Sequence, residues 1–452
     1  MNYLSLKLNL PKLNLYLFSL SILLLRLPPL SILFNNPFFN SHSIARYLLV
    51  SLLFSGLYLI YIKRLRFQIN NKLFAIILFY FIAQSISIFG ASNIQAFLLT
   101  YKDLVFGILV YIVGHFVIRS KKDINFLMLI LLISVVLDII YQFIIYFYPS
   151  LFRSLIESFI YAKFLQVFNV NLARQKYFID IYDTALIPII VYLLIEYRKI
   201  AFRLLGILQI VLISFFAFVS NFRVQLLMLI ISIIGTTVIL KGRARRTTFI
   251  LICLTFLAFM YLGLFKFGVP NSLDRVLFPE QFDYLTIESR INFWQESTEM
   301  GLASPLFGMG LGNFYDALPY KNIVKLSLFD PRNQHEAVTL THPHNLFFGV
   351  LAETGFLGLV SIILLVGSFA YFDWQGFSRG EKITKLLIVS FWSLFSFGLL
   401  MPPNTLAYMS LFWLLRAMIE KYNHSKRRMI NPRTIPSPTH NTEEASSLLK
   451  KI

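Results

Sequence analysis

His344 and Asn345 stand where a polar segment turns into a long apolar run, and nine residues after His344 that run carries Glu353 ("THPHNLFFGVLAETGFLGLV"). A neutral imidazole at a water boundary can accept a proton from a hydroxyl group. Pro343 ends the polar segment, so His344 or Asn345 opens the helix that follows. A helix N-terminus presents free N–H groups and the positive end of a dipole, both of which favour anions. Glu353 then sits roughly 12–14 Å deeper, at about 1.5 Å per residue. A carboxylate inside an apolar helix is costly to keep and leaves two readings, a group lining a functional cavity or a structural partner for another helix. His344 likewise reads either as a base or as an ordinary interfacial polar residue. Upstream, "FGMGLGNF" resembles a dinucleotide glycine loop only superficially, because no strand precedes it; a tight loop over the site is the better reading. His335, His342 and His344, with Asp330 and Glu336, form a possible metal-ligand set, with Pro343 between the last two histidines.

The elements that position these residues are apolar runs of bilayer length. Hydropathy gives about twelve spans, near 13–34, 46–62, 73–90, 97–118, 124–147, 183–197, 201–220, 222–240, 247–266, 345–372, 383–400 and 403–420. Arg26 and Pro28-Pro29 interrupt the first. The organisation that follows is an N-terminal transmembrane bundle over 1–266, a large loop over 267–344 and C-terminal transmembrane helices over 345–420. A basic tail rich in Pro, Ser and Thr over 421–452 reads as disordered. A second long loop covers about 148–182. Lys102 with Asp103, and Asp138, are further ionisable groups within apolar runs.

Composition supports an all-α polytopic membrane protein. Of 452 residues, 57% are hydrophobic and 14% charged, with a mean hydropathy of +0.69. A membrane barrel would show short alternating strands instead. The single cysteine, Cys253, excludes disulfides and thiolate metal sites within the chain. The net charge of +19 points to loop cations facing anionic lipid rather than nucleic acid. Those cations alternate by side. One set of loops holds Lys63, Arg64, Arg66 and Lys72; Arg119, Lys121 and Lys122; Arg198, Lys199 and Arg203; Lys241, Arg243, Arg245 and Arg246; and Arg379, Lys382 and Lys385. The short loops opposite hold only Arg46 and Arg223. The positive-inside rule then puts both termini in the cytoplasm and the 267–344 loop outside it. The first apolar run is followed by no small-residue cleavage site and is not read as a signal peptide.

The His-Asn pair opening a helix, followed by Glu353, Gly355 and Gly358, resembles the signature of the bacterial O-antigen ligase and polymerase superfamily. "ESRINFWQESTEMGLASPLFGMGLGNF" resembles the same family's loop segment, through Arg290, Trp294, Pro305, Gly308, Gly310 and Gly312. "SNFRVQLL" is similar to its Ser-Arg motif, although here Asn221 and Phe222 separate Ser220 from Arg223. "LARQKYFIDIYDTALIPII" points to Arg174 as the counterpart of an arginine ahead of the sixth span.

The resemblance implies a glycosyltransferase of the membrane GT-C type in the bacterial inner membrane, without cofactor or metal. The implied donor is a glycan on undecaprenyl diphosphate, and the acceptor is a hydroxyl of lipid A core, of another glycan or of a protein. Arg223, Arg290 and Arg174 would hold the diphosphate through bidentate contacts. His344 would be the base, and Asn345, Glu353, Gly308, Gly310 and Trp294 its support. Ligase, polymerase and protein-glycosylating branches share this donor chemistry and stay open. The rival from another class is a transporter or flippase of lipid-linked glycan. It explains many spans and buried charge but does not require an ordered loop ending in His-Asn. The topology has its own test, cysteine-accessibility labelling. A cysteine introduced at Lys321 should react with a membrane-impermeant maleimide in spheroplasts; reaction only after the inner membrane is lysed would reverse the assignment.

Overall fold

The computed structural model describes residues 10–26, 41–62, 70–147, 181–197, 199–219, 223–242, 281–318, 343–400 and 406–430. Among these residues every regular element is helical and no strand occurs. In chain order the α-helices are α1 (Leu10–Arg26), α2 (Ser41–Tyr61), α3 (Asn71–Ile86), α4 (Ile94–Val117), α5 (Lys121–Phe147), α6 (Ile187–Glu196) and α7 (Ile200–Val219). Then come α8 (Arg223–Ile239), α9 (Gln281–Ala303), α10 (Phe314–Ala317), α11 (Leu346–Arg379), α12 (Lys382–Leu400) and α13 (Leu406–Ile430). Among the described residues six segments are long and apolar enough to cross a bilayer: His42–Tyr61, Asn71–Gly90, Ile94–Val117, Lys121–Ile140, Leu346–Ser378 and Lys382–Leu400.

Local chemistry sets the helix ends. The side chain of Asn70 caps α3 and that of Asn93 caps α4, each accepting from first-turn amides. α1 is described over Leu10–Arg26, and the remainder of the first expected span, 27–34, lies outside the described residues. The expected sixth span is a composite: a 3₁₀ turn, Ile181–Leu186, runs into α6, with Pro188 in its first turn where a missing N–H costs nothing. The expected ninth span, 247–266, and the loop over 148–180 lie outside the described residues. α13 continues to Ile430, so the tail boundary expected at 421 falls inside a helix.

The helices pack as a bundle, with α4 against α13, α8 against α12, α11 against α3 and α9, and α1 against α2. Where lipid offers no hydrophobic drive between helices, small residues and interhelical hydroxyls take over. Gly107 of α4 faces Trp413 and Met409 of α13 so closely that a side chain there would displace them. Ser232 of α8 bonds Ser393 of α12 at 2.9 Å, and Ser393 in turn donates to the Met228 carbonyl at 2.9 Å.

Two buried ionic sites tie the bundle together, and neither was foreseen from sequence. Arg26 of α1 pairs with Asp183 of the 3₁₀ turn. Arg416 of α13 bonds Asp373 of α11 and Glu420, both at 2.7 Å. Around them, Tyr111 Oη donates to Glu420 at 2.7 Å, Trp392 Nε1 donates to Asp373 at 3.0 Å, and His115 Nε2 lies 3.5 Å from Glu420. The guanidinium also lies 4.4 Å from the centre of the Phe369 ring. Four helices (α4, α11, α12 and α13) therefore meet on one cation. The earlier candidate Asp103 pairs with Arg46 at 3.2 Å in a half-buried contact on α2 and α4, and Asp138 is buried on α5. Removing the cation while leaving two buried carboxylates should be severe. Arg416→Met is expected to cost about 3–5 kcal/mol and lower the unfolding temperature of detergent-purified protein, with Arg416→Lys intermediate; an unchanged unfolding temperature for both would show that the network contributes nothing to stability.

Candidate functional site

The polar site forms at the first turn of α11. Asn345 is the N-cap, and its side chain accepts from the amides of Phe347 at 2.9 Å and Phe348 at 3.3 Å. His344 precedes it with φ of 51°, the one positive φ on a non-glycine residue among the described residues. That backbone region is strained for most side chains, and histidine, asparagine and aspartate adopt it more readily than others. Trp294 of α9 fixes the same corner. Its Nε1 donates to the Pro343 carbonyl at 2.9 Å, and its ring stacks on Phe348 at 5.4 Å and 7°. Arg290 is one helical turn before Trp294, on the same side of α9. Trp294 therefore brings the Arg290 turn and the His344 corner to one end of the bundle.

Glu353 answers the question its position raised. It is 4% exposed, and its carboxylate accepts from the backbone N–H groups of Gly312 and Phe314. Among the described residues it pairs with neither lysine nor arginine; its partners are amides of the glycine loop. The backbone of the same segment is engaged too. α11 breaks at Gly355, which has φ of 66° and ψ of −166°. A break in a membrane helix strands carbonyls and an amide that have no water to turn to. The loop supplies partners: Met309 N donates to Ala352 O at 2.8 Å, Gly310 N to Glu353 O at 2.9 Å, and Phe356 N to Pro305 O at 2.7 Å. Residues 305–314 and 352–356 thus form a two-sided clasp.

The glycines are dictated by that clasp. Gly308, Gly310 and Gly312 have φ of 64°, 90° and 77°. A side-chain carbon on Gly308 would strike the Glu353–Thr354 peptide, and one on Gly355 would strike the Pro305 carbonyl. On its other side the loop is pinned to the α3–α4 connection. Asn313 Oδ1 accepts from Asn93 N at 2.6 Å, Asn93 Nδ2 donates to Asp316 at 2.8 Å, and Leu311 N donates to Ser87 Oγ at 3.3 Å. Asn313, Asn93, Ser87 and Asp316 escaped sequence reasoning because single polar residues at helix ends carry no signal of their partners. Beneath the first turn of α11 a cavity is lined by Tyr80, Gln84, Thr100, Gly349, Glu353 and Met409, among others.

The structure thus gathers His344, Asn345, Glu353, Gly308, Gly310 and Trp294 at one place, with Arg290 one turn away. Arg223 is the first residue of α8. Arg174, His335, His342, Asp330 and Glu336 lie outside the described residues. Among the described residues no three His, Cys, Asp or Glu side chains converge as metal ligands.

A helical membrane bundle whose longest span is broken, and whose break is closed by a glycine loop beside a strained histidine, defines a polytopic membrane protein with a preorganised polar site at one end. Residues 184–363 match the family model described as O-antigen ligase, the family that the His-Asn, glutamate and glycine motifs resemble. The matched region contains Arg223, Arg290, the whole clasp, His344 and Asn345, and leaves Arg174 outside. A search of curated proteins found no match.

The clasp reading separates from a proton-handling role for Glu353 by substitution. Glu353→Ala should remove both amide contacts, loosen the 305–314 loop to added protease and lower the unfolding temperature. Glu353→Gln, which keeps one acceptor oxygen, should be milder, and Gly355→Ala should resemble Glu353→Ala. Equal loss of activity in the alanine and glutamine variants, with unchanged stability and protease resistance, would assign Glu353 to chemistry instead.

Proposed function

We propose that this protein is a GT-C-like glycosyltransferase of about twelve spans in the bacterial inner membrane, with both termini cytoplasmic and the 267–344 loop on the extracytoplasmic side. It moves an oligo- or polysaccharide from a polyprenyl-diphosphate donor to a sugar hydroxyl, as an O-antigen ligase or polymerase does. The match to the O-antigen ligase family model over 184–363 supports the reaction class. The observation that carries the residue assignment is His344: a histidine at φ 51°, locked between a capped helix start and the Trp294 contact. Strained backbone held by over-determined surroundings concentrates at functional sites.

In this reading His344 accepts the proton of the acceptor hydroxyl as its oxygen attacks the anomeric carbon. The bond from that carbon to the diphosphate oxygen breaks, and the leaving group departs with the electron pair. Arg290 and Arg223, with Arg174, hold the diphosphate anion and stabilise the charge that grows on it. A single displacement inverts the anomeric configuration, and neither metal nor cofactor is required. The acceptor is a hydroxyl of lipid A core, of another glycan or of a protein. Deleting the gene and examining surface glycans distinguishes two of these: cores carrying no polymer mean ligase, and cores carrying single repeat units mean polymerase.

The base assignment has a sharp variant. His344→Asn keeps a residue that tolerates the left-handed backbone but removes the proton acceptor. Transfer by purified protein should fall roughly 10²–10⁴-fold, while His342→Ala stays close to wild type. Arg290→Ala and Arg223→Ala should also reduce transfer, and lysine at either site should restore only part of it. Wild-type rates in His344→Asn would reject the histidine as base.

A further inference from the structure

The cavity beneath the first turn of α11 holds a polar group that neither the catalytic reading nor the clasp uses. Gln84, near the end of α3, is 1% exposed and lines this cavity, and its Nε2 meets no hydrogen-bond partner among the described residues. A buried amide donor left unpaired costs free energy comparable to a lost hydrogen bond. Glu353, Thr100 and Tyr80 line the same cavity. Glu353 spends two acceptor positions on the Gly312 and Phe314 amides; a carboxylate has about four such positions. The wall therefore offers an unused amide donor, spare carboxylate acceptor capacity and two hydroxyls, while Leu104, Leu346 and Met409 supply apolar surface. The chemistry complementary to this lining is a hydroxyl, which donates and accepts at once. An anion would face Glu353, and a cation would leave the Gln84 donor unpaired. The space admits about one water-sized group and no sugar ring.

We propose that this cavity is a subsite for a single hydroxyl or hydroxymethyl group of the glycan substrate, held by Gln84 Nε2 and the Glu353 carboxylate. The inference rests on the transferase reading. It gives that site a specificity element deeper along α11 than His344, and it makes Gln84 a binding residue that reads whether a sugar carries a hydroxyl at one position. An ordered water would satisfy the same lining, so the test must separate the two.

Full-length protein in detergent is titrated with two probes. One is lipid-linked glycan extracted from cells of the same source, and the other is undecaprenyl diphosphate without sugar. Gln84→Met, close in length and lacking the amide, should weaken binding of the glycan-bearing lipid on the order of tenfold and leave the sugar-free lipid unchanged. Thr100→Val should act in the same direction with a smaller effect, and it carries the test if Gln84→Met fails to fold. If both variants bind both lipids as wild type does, the cavity holds only water and the subsite is overturned while the transferase reading stands. If wild type binds neither lipid, the transferase reading falls and the subsite falls with it.

Discussion

The site depends on one arrangement: a buried carboxylate and a broken helix share a single set of partners. Glu353 is placed where an apolar helix should not tolerate it, and Gly355 breaks that helix two residues later. Either feature alone leaves polar groups stranded away from water. Together they present a carboxylate, two carbonyls and an amide to one side, and the 305–314 loop brings four amides and a carbonyl to meet them. Because the loop is pinned on its far side to Asn93 and Ser87, the clasp fixes α11 against the α3–α4 connection. His344 and Asn345 then occupy a defined corner rather than the frayed start of a helix.

This explains why the two sequence patterns go together. Glu-x-Gly and Pro-x-x-Gly-x-Gly-x-Gly look like separate signatures, yet they are the two faces of one backbone contact. The glycines serve close approach rather than flexibility: a side-chain carbon at Gly308 or Gly355 would enter the opposite backbone. In a medium without water, backbone pairing of this kind is worth more than the same bonds at a surface, so a loop held by a few such contacts can stay ordered over a membrane site.

Much of the fold was legible in the sequence because the bilayer imposes its length on apolar runs, and helices occur at nearly all the expected positions described. The helix start at His344 or Asn345 and the tight glycine loop were legible because their residue types are tied to backbone conformations, and packing resolves the cap as Asn345. What was not legible is partnership. Arg416 and Asp373 lie on helices distant in sequence and look like unrelated charges in apolar runs, and only packing reveals that Glu420, Tyr111, Trp392 and His115 complete the set. Glu353 was expected to face a cavity or another helix, and it does line a cavity. Its hydrogen bonds, however, go to loop amides, which hydropathy cannot register.

α11 carries both polar centres, Glu353 near its start and Asp373 near its end, with the break at Gly355 between them. The two are built in opposite ways. At Asp373 a charge is neutralised by a charge and by ring contacts, which suits a permanent joint between helices. At Glu353 a carboxyl group is met by amide dipoles, and the same residue lines the cavity beneath the first turn of α11. A carboxylate fully consumed by a guanidinium has nothing left to offer a ligand. One held by two amides is fixed in place yet still able to accept a hydrogen bond, so the first centre is suited to holding the bundle together and the second keeps the acceptor capacity that the proposed subsite requires.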